Sequence, residues 1–187
     1  MSQEVLRSKV LVIGPSTVGK TSLVKTFATD GKQFSQTYSM TLTAEPTIKA
    51  VTVEESNITV EFFLYDISGS SIFEYEYPEV FKNANQFALV FDITRGDTFR
   101  DCRPWLDKIA KYAGRTLPGV LIGNKSDLSD YADVTDDDCH SFGQEMKVNY
   151  FEVSAKTNAG VSAPFVALAE QFIHMYEAET EVFLNAD

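Results

Sequence analysis

The chain has 187 residues, 44% of them hydrophobic and 23% charged, with a net charge of −11 and only two cysteines. This is room for one domain that buries roughly 70% of its unfolded surface, and the acidic balance excludes nucleic acid and anionic membrane as general partners. Cys102 and Cys139 fit a reducing compartment without a disulfide framework, and no apolar run approaches the ~18 residues of a membrane span.

In chain order, Lys9–Ile13 is a short apolar run that stops at Gly14 and reads as a buried strand. Gly19 to Ala28 follows as a helix, with Leu23, Val24 and Phe27 on one face. Residues 31–46 are polar and irregular, a connection long enough to suggest a functional loop. Ile48–Val53 and Ile58–Leu64 flank Glu54-Glu55-Ser56-Asn57 as an antiparallel hairpin. Phe87–Phe91 is an uninterrupted apolar strand. After it, Thr98 with Asp101 forms a capping-box pattern, continued by Phe99, Cys102, Leu106, Ile109 and Tyr112 at helical spacing. Gly119–Gly123 is the next buried strand. Thr135 with Asp138 opens a further helix whose first turn is acidic. Tyr150–Val153 is the last strand. The final helix carries Phe165, Leu168, Phe172, Ile173 and Tyr176 on one face and Pro164 in its first turn. This alternation implies an α/β fold: a mostly parallel sheet of six strands, one antiparallel edge strand, and helices on both faces. Ligands in such sheets bind at the carboxyl ends of the strands.

The chemistry-bearing residues all follow strands. Gly14-Pro15-Ser16-Thr17-Val18-Gly19-Lys20-Thr21 fits G-x-x-x-x-G-K-[ST] between a strand and a helix. Backbone N–H groups there would wrap phosphates at the positive end of the helix. Lys20 would reach the β- and γ-phosphates and the Thr21 hydroxyl would coordinate Mg²⁺, with Ser22 completing the turn. "GNKSDL", residues 123–128, names the base. The Asp127 carboxylate can accept both the ring and the exocyclic N–H of guanine, a pair of donors that adenine lacks. The stem of Lys125 can cover the base, Asn124 would tie this loop to the phosphate loop, and Ser154-Ala155-Lys156 would close the pocket. In "FLYDISGSSIF", residues 63–73, Asp66 and Gly69 stand where a strand breaks into a polar turn.

With these motifs in this order, the chain resembles the Ras-superfamily small GTPases, P-loop NTPases of the small G domain type, and in particular their Rab-like branch. The resemblance spans residues 8–176. It implies GTP and GDP as ligands with Mg²⁺, Asp66 on the metal through water, and the Gly69 backbone as γ-phosphate sensor. It also implies a threonine ligand from the long loop and an aromatic residue against the guanine. Thr41 and Phe34 match those two roles best, with Thr37 and Thr43 as neighbouring alternatives to Thr41. "TDGKQFSQTYSMT", "LPGVLIGNKSDL" and "APFVALAEQFIHMYEAETEVF" are similar to the Rab-like GTPases of intraflagellar transport. That likeness implies work in the cytoplasm and the cilium or flagellum, beside other transport subunits that include a small β-sandwich protein.

Two departures carry expectations of their own. Family members place a glutamine after the Asp-x-x-Gly glycine to orient the attacking water; here Ser70 stands there. Loss of one such positioned group typically lowers the rate about 10²–10³-fold, so Lys20 and Thr41 would act with a weak catalyst beside them and hydrolysis would be slow. Ser16, where the tightest sites use glycine, is tolerated in the Rab branch. The chain ends "EVFLNAD" without a cysteine after Cys139, so no prenyl anchor is expected. Residues 1–176 then read as the G domain and 177–187 as an extension in which Val182, Phe183 and Leu184, lying beyond the last helix, contact a partner. Three rival readings are an assembly subunit with permanently held nucleotide, a GTPase completed by a partner's groups, and a P-loop kinase, which Asn124 to Asp127 disfavour.

Overall fold

A computed structural model of the chain describes residues 4–33, 45–54 and 56–184. The strands are β1 (Glu4–Ile13), β2 (Pro46–Val53), β3 (Ile58–Asp66), β4 (Gln86–Asp92), β5 (Gly119–Asn124) and β6 (Asn149–Val153). They form one six-stranded sheet in the order β2-β3-β1-β4-β5-β6. Only the β2–β3 hairpin is antiparallel; β1 pairs parallel to β3 and β4, β4 to β5, and β5 to β6. The fold class expected from the alternation of elements is the one observed.

Each central strand is buried on both sides, and the pleat sends alternate residues to opposite faces. Val10, Val12, Ala88, Val90, Val120 and Ile122 face α1 (Lys20–Ala28) and α6 (Ala163–Leu184), where the rings of Phe27 and Phe165 stack at 3.8 Å. Leu11, Ile13, Phe87, Leu89, Phe91 and Leu121 face the other layer. That layer comprises α2 (Tyr77–Phe81), α3 (Gly96–Arg100), α4 (Cys102–Ala113) and α5 (Asp136–Met146). Cys102 and Cys139 are buried there as free thiols. Among the described residues, no helix is long and apolar enough to cross a membrane.

Several local expectations change. Thr98 is not a helix cap: it lies inside α3, whose N-cap is Arg95. Its hydroxyl instead holds the turn after β4, accepting from Asp92 N–H at 3.1 Å and donating to the Arg95 carbonyl at 2.7 Å. The helix then breaks at Asp101 and restarts as α4. Thr135 does cap α5, accepting from Asp138 N–H at 3.2 Å. Beyond the polar turn expected after Asp66, the chain folds into a 3-10 turn, Ser71–Glu76, followed by α2, neither of which was expected. Tyr176 is 41% exposed rather than on the buried face of α6. Val182 does not lie beyond the last helix but in it, since α6 runs unbroken to Leu184; its side chain is exposed.

Candidate nucleotide site

The cleft lies along the carboxyl ends of β1, β3, β4, β5 and β6. Gly14 to Gly19 links β1 to α1, and its curvature uses left-handed backbone at Thr17 (φ 68) and Gly19 (φ 96), with Gly14 at φ 140. Gly19 must be glycine for a second reason: a Cβ there would lie 2.4 Å from the Asn124 side-chain nitrogen. Lys20 is buried, and its ammonium donates to the carbonyls of Gly14 (2.9 Å) and Pro15 (2.7 Å). Burial pulls its pKa down to about 8, against the opposing pull of the Asp66 carboxylate. A cation folded back on its own loop in this way is poised to trade two carbonyls for phosphate oxygens.

Thr21 and Asp66 meet across the cleft, the hydroxyl donating to the carboxylate at 2.5 Å. Two hard oxygens from different elements suit Mg²⁺, which takes one or two protein ligands and fills its octahedron with water and phosphate. Among the described residues, no group of three or more His, Cys, Asp or Glu side chains could hold a metal by itself. The Thr21–Asp66 pair fits an ion that brings the rest of its coordination shell as water and phosphate. Thr41 and Phe34, together with Thr37 and Thr43, lie outside the described residues.

The base end is knit by side chains. Asn124, almost fully buried, donates to the Val18 carbonyl at 2.8 Å and accepts from Ala155 N–H at 3.1 Å, joining three loops through one amide. Asp127 accepts from the Ser154 hydroxyl at 2.6 Å and pairs with Lys156 at 3.3 Å. Burial alone would raise the Asp127 carboxyl, but the hydrogen bonds from Ser154 and Lys156 outweigh it and hold the group below the usual carboxylate range. Gly19, Ser22, Asn124, Lys125, Asp127 and Lys156 contribute to the walls of a cavity of about 160 Å³.

Two contributors were missed in the sequence, one the last residue of β4 and one in the turn that follows. Buried Asp92 accepts from the Lys125 ammonium at 2.5 Å and so sets the stem that borders the cavity. Arg95, held by Asp97 at 3.0 Å, donates to the Thr17 hydroxyl at 2.7 Å. The only signal was an aspartate at the end of an otherwise apolar strand, a charge that has to find a partner when buried.

The end of the cleft near Gly69 differs. Gly69 packs on the phosphate loop, where an added Cβ would lie 2.3 Å from Ser16 N and 2.4 Å from the Pro15 carbonyl carbon. Ser70 turns back on its own segment, its hydroxyl accepting from Ile72 N–H at 3.4 Å and capping the 3-10 turn.

Against known proteins, the Ras family matches residues 9–174. The intraflagellar transport protein 27 homolog of Bos taurus is 36% identical over 95% of this chain and 96% of its own length. The Chlamydomonas reinhardtii intraflagellar transport protein 27 is 31% identical over 97% and 91%, respectively. Ras-related protein RabC of Dictyostelium discoideum is 31% identical over 91% and 85%. The chain belongs to the Ras family, as a Rab-like small GTPase related along nearly its whole length to intraflagellar transport protein 27.

Proposed function

We propose that this protein binds GTP and GDP with Mg²⁺, hydrolyses GTP slowly by itself, and serves as a nucleotide-controlled subunit of an intraflagellar transport assembly. The observation that carries the reading is the single buried amide of Asn124, which bonds the phosphate loop to the closing loop. In this reading Gly14, Ser16, Thr17, Val18 and Gly19 cradle the phosphates, Lys20 neutralises them, Asp127 accepts from guanine, and Ser154 and Lys156 hold Asp127 in place. Thr21, Asp66 and Thr41 would hold Mg²⁺, which supplies charge neutralisation at the β- and γ-phosphates when bound. Phe34 would stack on the base. Slow hydrolysis is supported by the length and engagement of Ser70: its hydroxyl accepts from Ile72 N–H and, shorter than a glutamine amide by several bonds, would not reach the same water without backbone movement.

The printed names of the relatives support the transport assignment, with a place in the cilium or flagellum. Partners in this reading are other subunits of that assembly, a small β-sandwich protein among them. Residues 177–187 are the proposed contact, supported by exposed Val182 near the end of one long helix.

The test is GDP and GTP affinity followed by single-turnover hydrolysis with Mg²⁺, on wild type and Ser70→Gln. The expected result is tight binding of both, slow wild-type turnover, and a rise of up to about 10²–10³-fold in the variant. Fast wild-type hydrolysis would overturn the role given to Ser70, and failure to bind either nucleotide would overturn the whole reading.

A further inference from the structure

In the function proposed above, the peptide unit between Ser68 and Gly69 is the sensor, because its N–H is the Gly69 donor. Its carbonyl belongs to Ser68 and accepts a 3.0 Å hydrogen bond from the Tyr77 hydroxyl. None of the described peptide bonds is cis. In a trans unit the C=O and N–H point in opposite directions within one plane. Whatever grips the carbonyl therefore aims the N–H.

The grip is firm. Tyr77 is 2% exposed, with ring centroids 5.0 Å from Phe81, 5.9 Å from Trp105 and 5.6 Å from Tyr112. Burial first, then the nearby Glu74 carboxylate and Tyr112, push its pKa up to about 12, so it remains a donor at any physiological pH. The Cα of Gly69, at the other end of the same peptide unit, is packed against the backbone of Pro15 and Ser16. The sensor peptide thus sits between an aromatic cluster anchored on α4 and the phosphate loop.

We propose that Tyr77 is a positioning residue for the γ-phosphate: its hydroxyl holds the Ser68 carbonyl so that the Gly69 N–H faces the phosphate loop before nucleotide arrives. The protein then distinguishes GTP from GDP partly through a hydroxyl that touches neither. The inference rests on the nucleotide reading above and deepens it.

The test is Tyr77→Phe, which keeps the ring in its cluster and removes only the donor. Affinities for GDP and for a non-hydrolysable GTP analogue, both with Mg²⁺, are measured on wild type and variant. GDP affinity, expected unchanged within about twofold, reports that the variant folds and binds. The GTP analogue is expected to weaken about 3- to 10-fold, the worth of one neutral hydrogen bond, so the GTP-to-GDP preference falls. A preference that is unchanged or raised, including one left constant because both affinities drop together, overturns the role of Tyr77 while leaving guanine-nucleotide binding intact. Wild type that binds neither nucleotide overturns both readings.

Discussion

At the base end of the cleft, side chains bond loop to loop: Asn124 reaches Val18 and Ala155, Asp127 reaches Ser154 and Lys156, and Lys125 reaches Asp92. At the other end, Asp66 to Glu76 leans on the phosphate loop through Gly69, bonds Thr21 through Asp66, and is tied to the helical layer through two tyrosine hydroxyls, Tyr77 to Ser68 and Tyr112 to Glu74. In the proposed reading the contrast separates retention from response: a cross-linked frame would hold a base in one geometry, whereas a segment that answers to one phosphate would belong to the less stable part of the structure.

The comparison breaks most visibly at Asp127. Asp127→Asn replaces an all-acceptor group with one that presents a donor to guanine, and GDP affinity is expected to fall roughly 10²–10³-fold in a fluorescent-nucleotide titration. An unchanged affinity would mean that the base is read elsewhere. Next comes Asn124→Ala, which strips the Val18 carbonyl and the Ala155 N–H of their side-chain partner. The loss should be about 2–4 kcal/mol of stability, seen as a melting temperature lower by roughly 5–15 °C.

A smaller and more local effect is expected from Tyr112→Phe. It should release the Ser71–Glu76 turn, speeding amide exchange there about 3- to 10-fold while leaving GDP affinity alone. Exchange that spreads to Asn124 and Ala155 would show that the two ends are one unit. The smallest effect belongs to Arg95→Ala, because an exposed guanidinium bonding an exposed hydroxyl contributes little. Stability should change by at most about 0.5 kcal/mol, checked by denaturant midpoint.

Much of this division could be read before any coordinates. The strands were visible because β4 and β5 are buried from end to end and apolar between their polar termini, as a sheet covered on both faces requires. The Gly14–Thr21 and Gly123–Leu128 motifs could be picked out because their spacing is local. What stayed hidden was settled by contacts between distant residues. Thr98 looked like a cap because cap and turn chemistry use the same hydroxyl, and only the fold brings Asp92 and Arg95 to it. The Ser71–Phe81 segment has no helical periodicity and folds because Tyr77 and Phe81 find Trp105 and Tyr112. Asp92 and Arg95 lie 33 and 78 residues from Lys125 and Thr17, their partners in the cleft, too far for any motif to span.

The Asp92–Lys125 bond has a practical corollary for anyone who would move this specificity elsewhere. The Gly123–Leu128 segment is not a portable cassette. Its lysine is anchored in β4, its aspartate in the loop after β6, and its asparagine against a glycine of the phosphate loop. A graft of those six residues into a foreign sheet would carry the letters of the motif and leave behind most of the contacts that fix their geometry here.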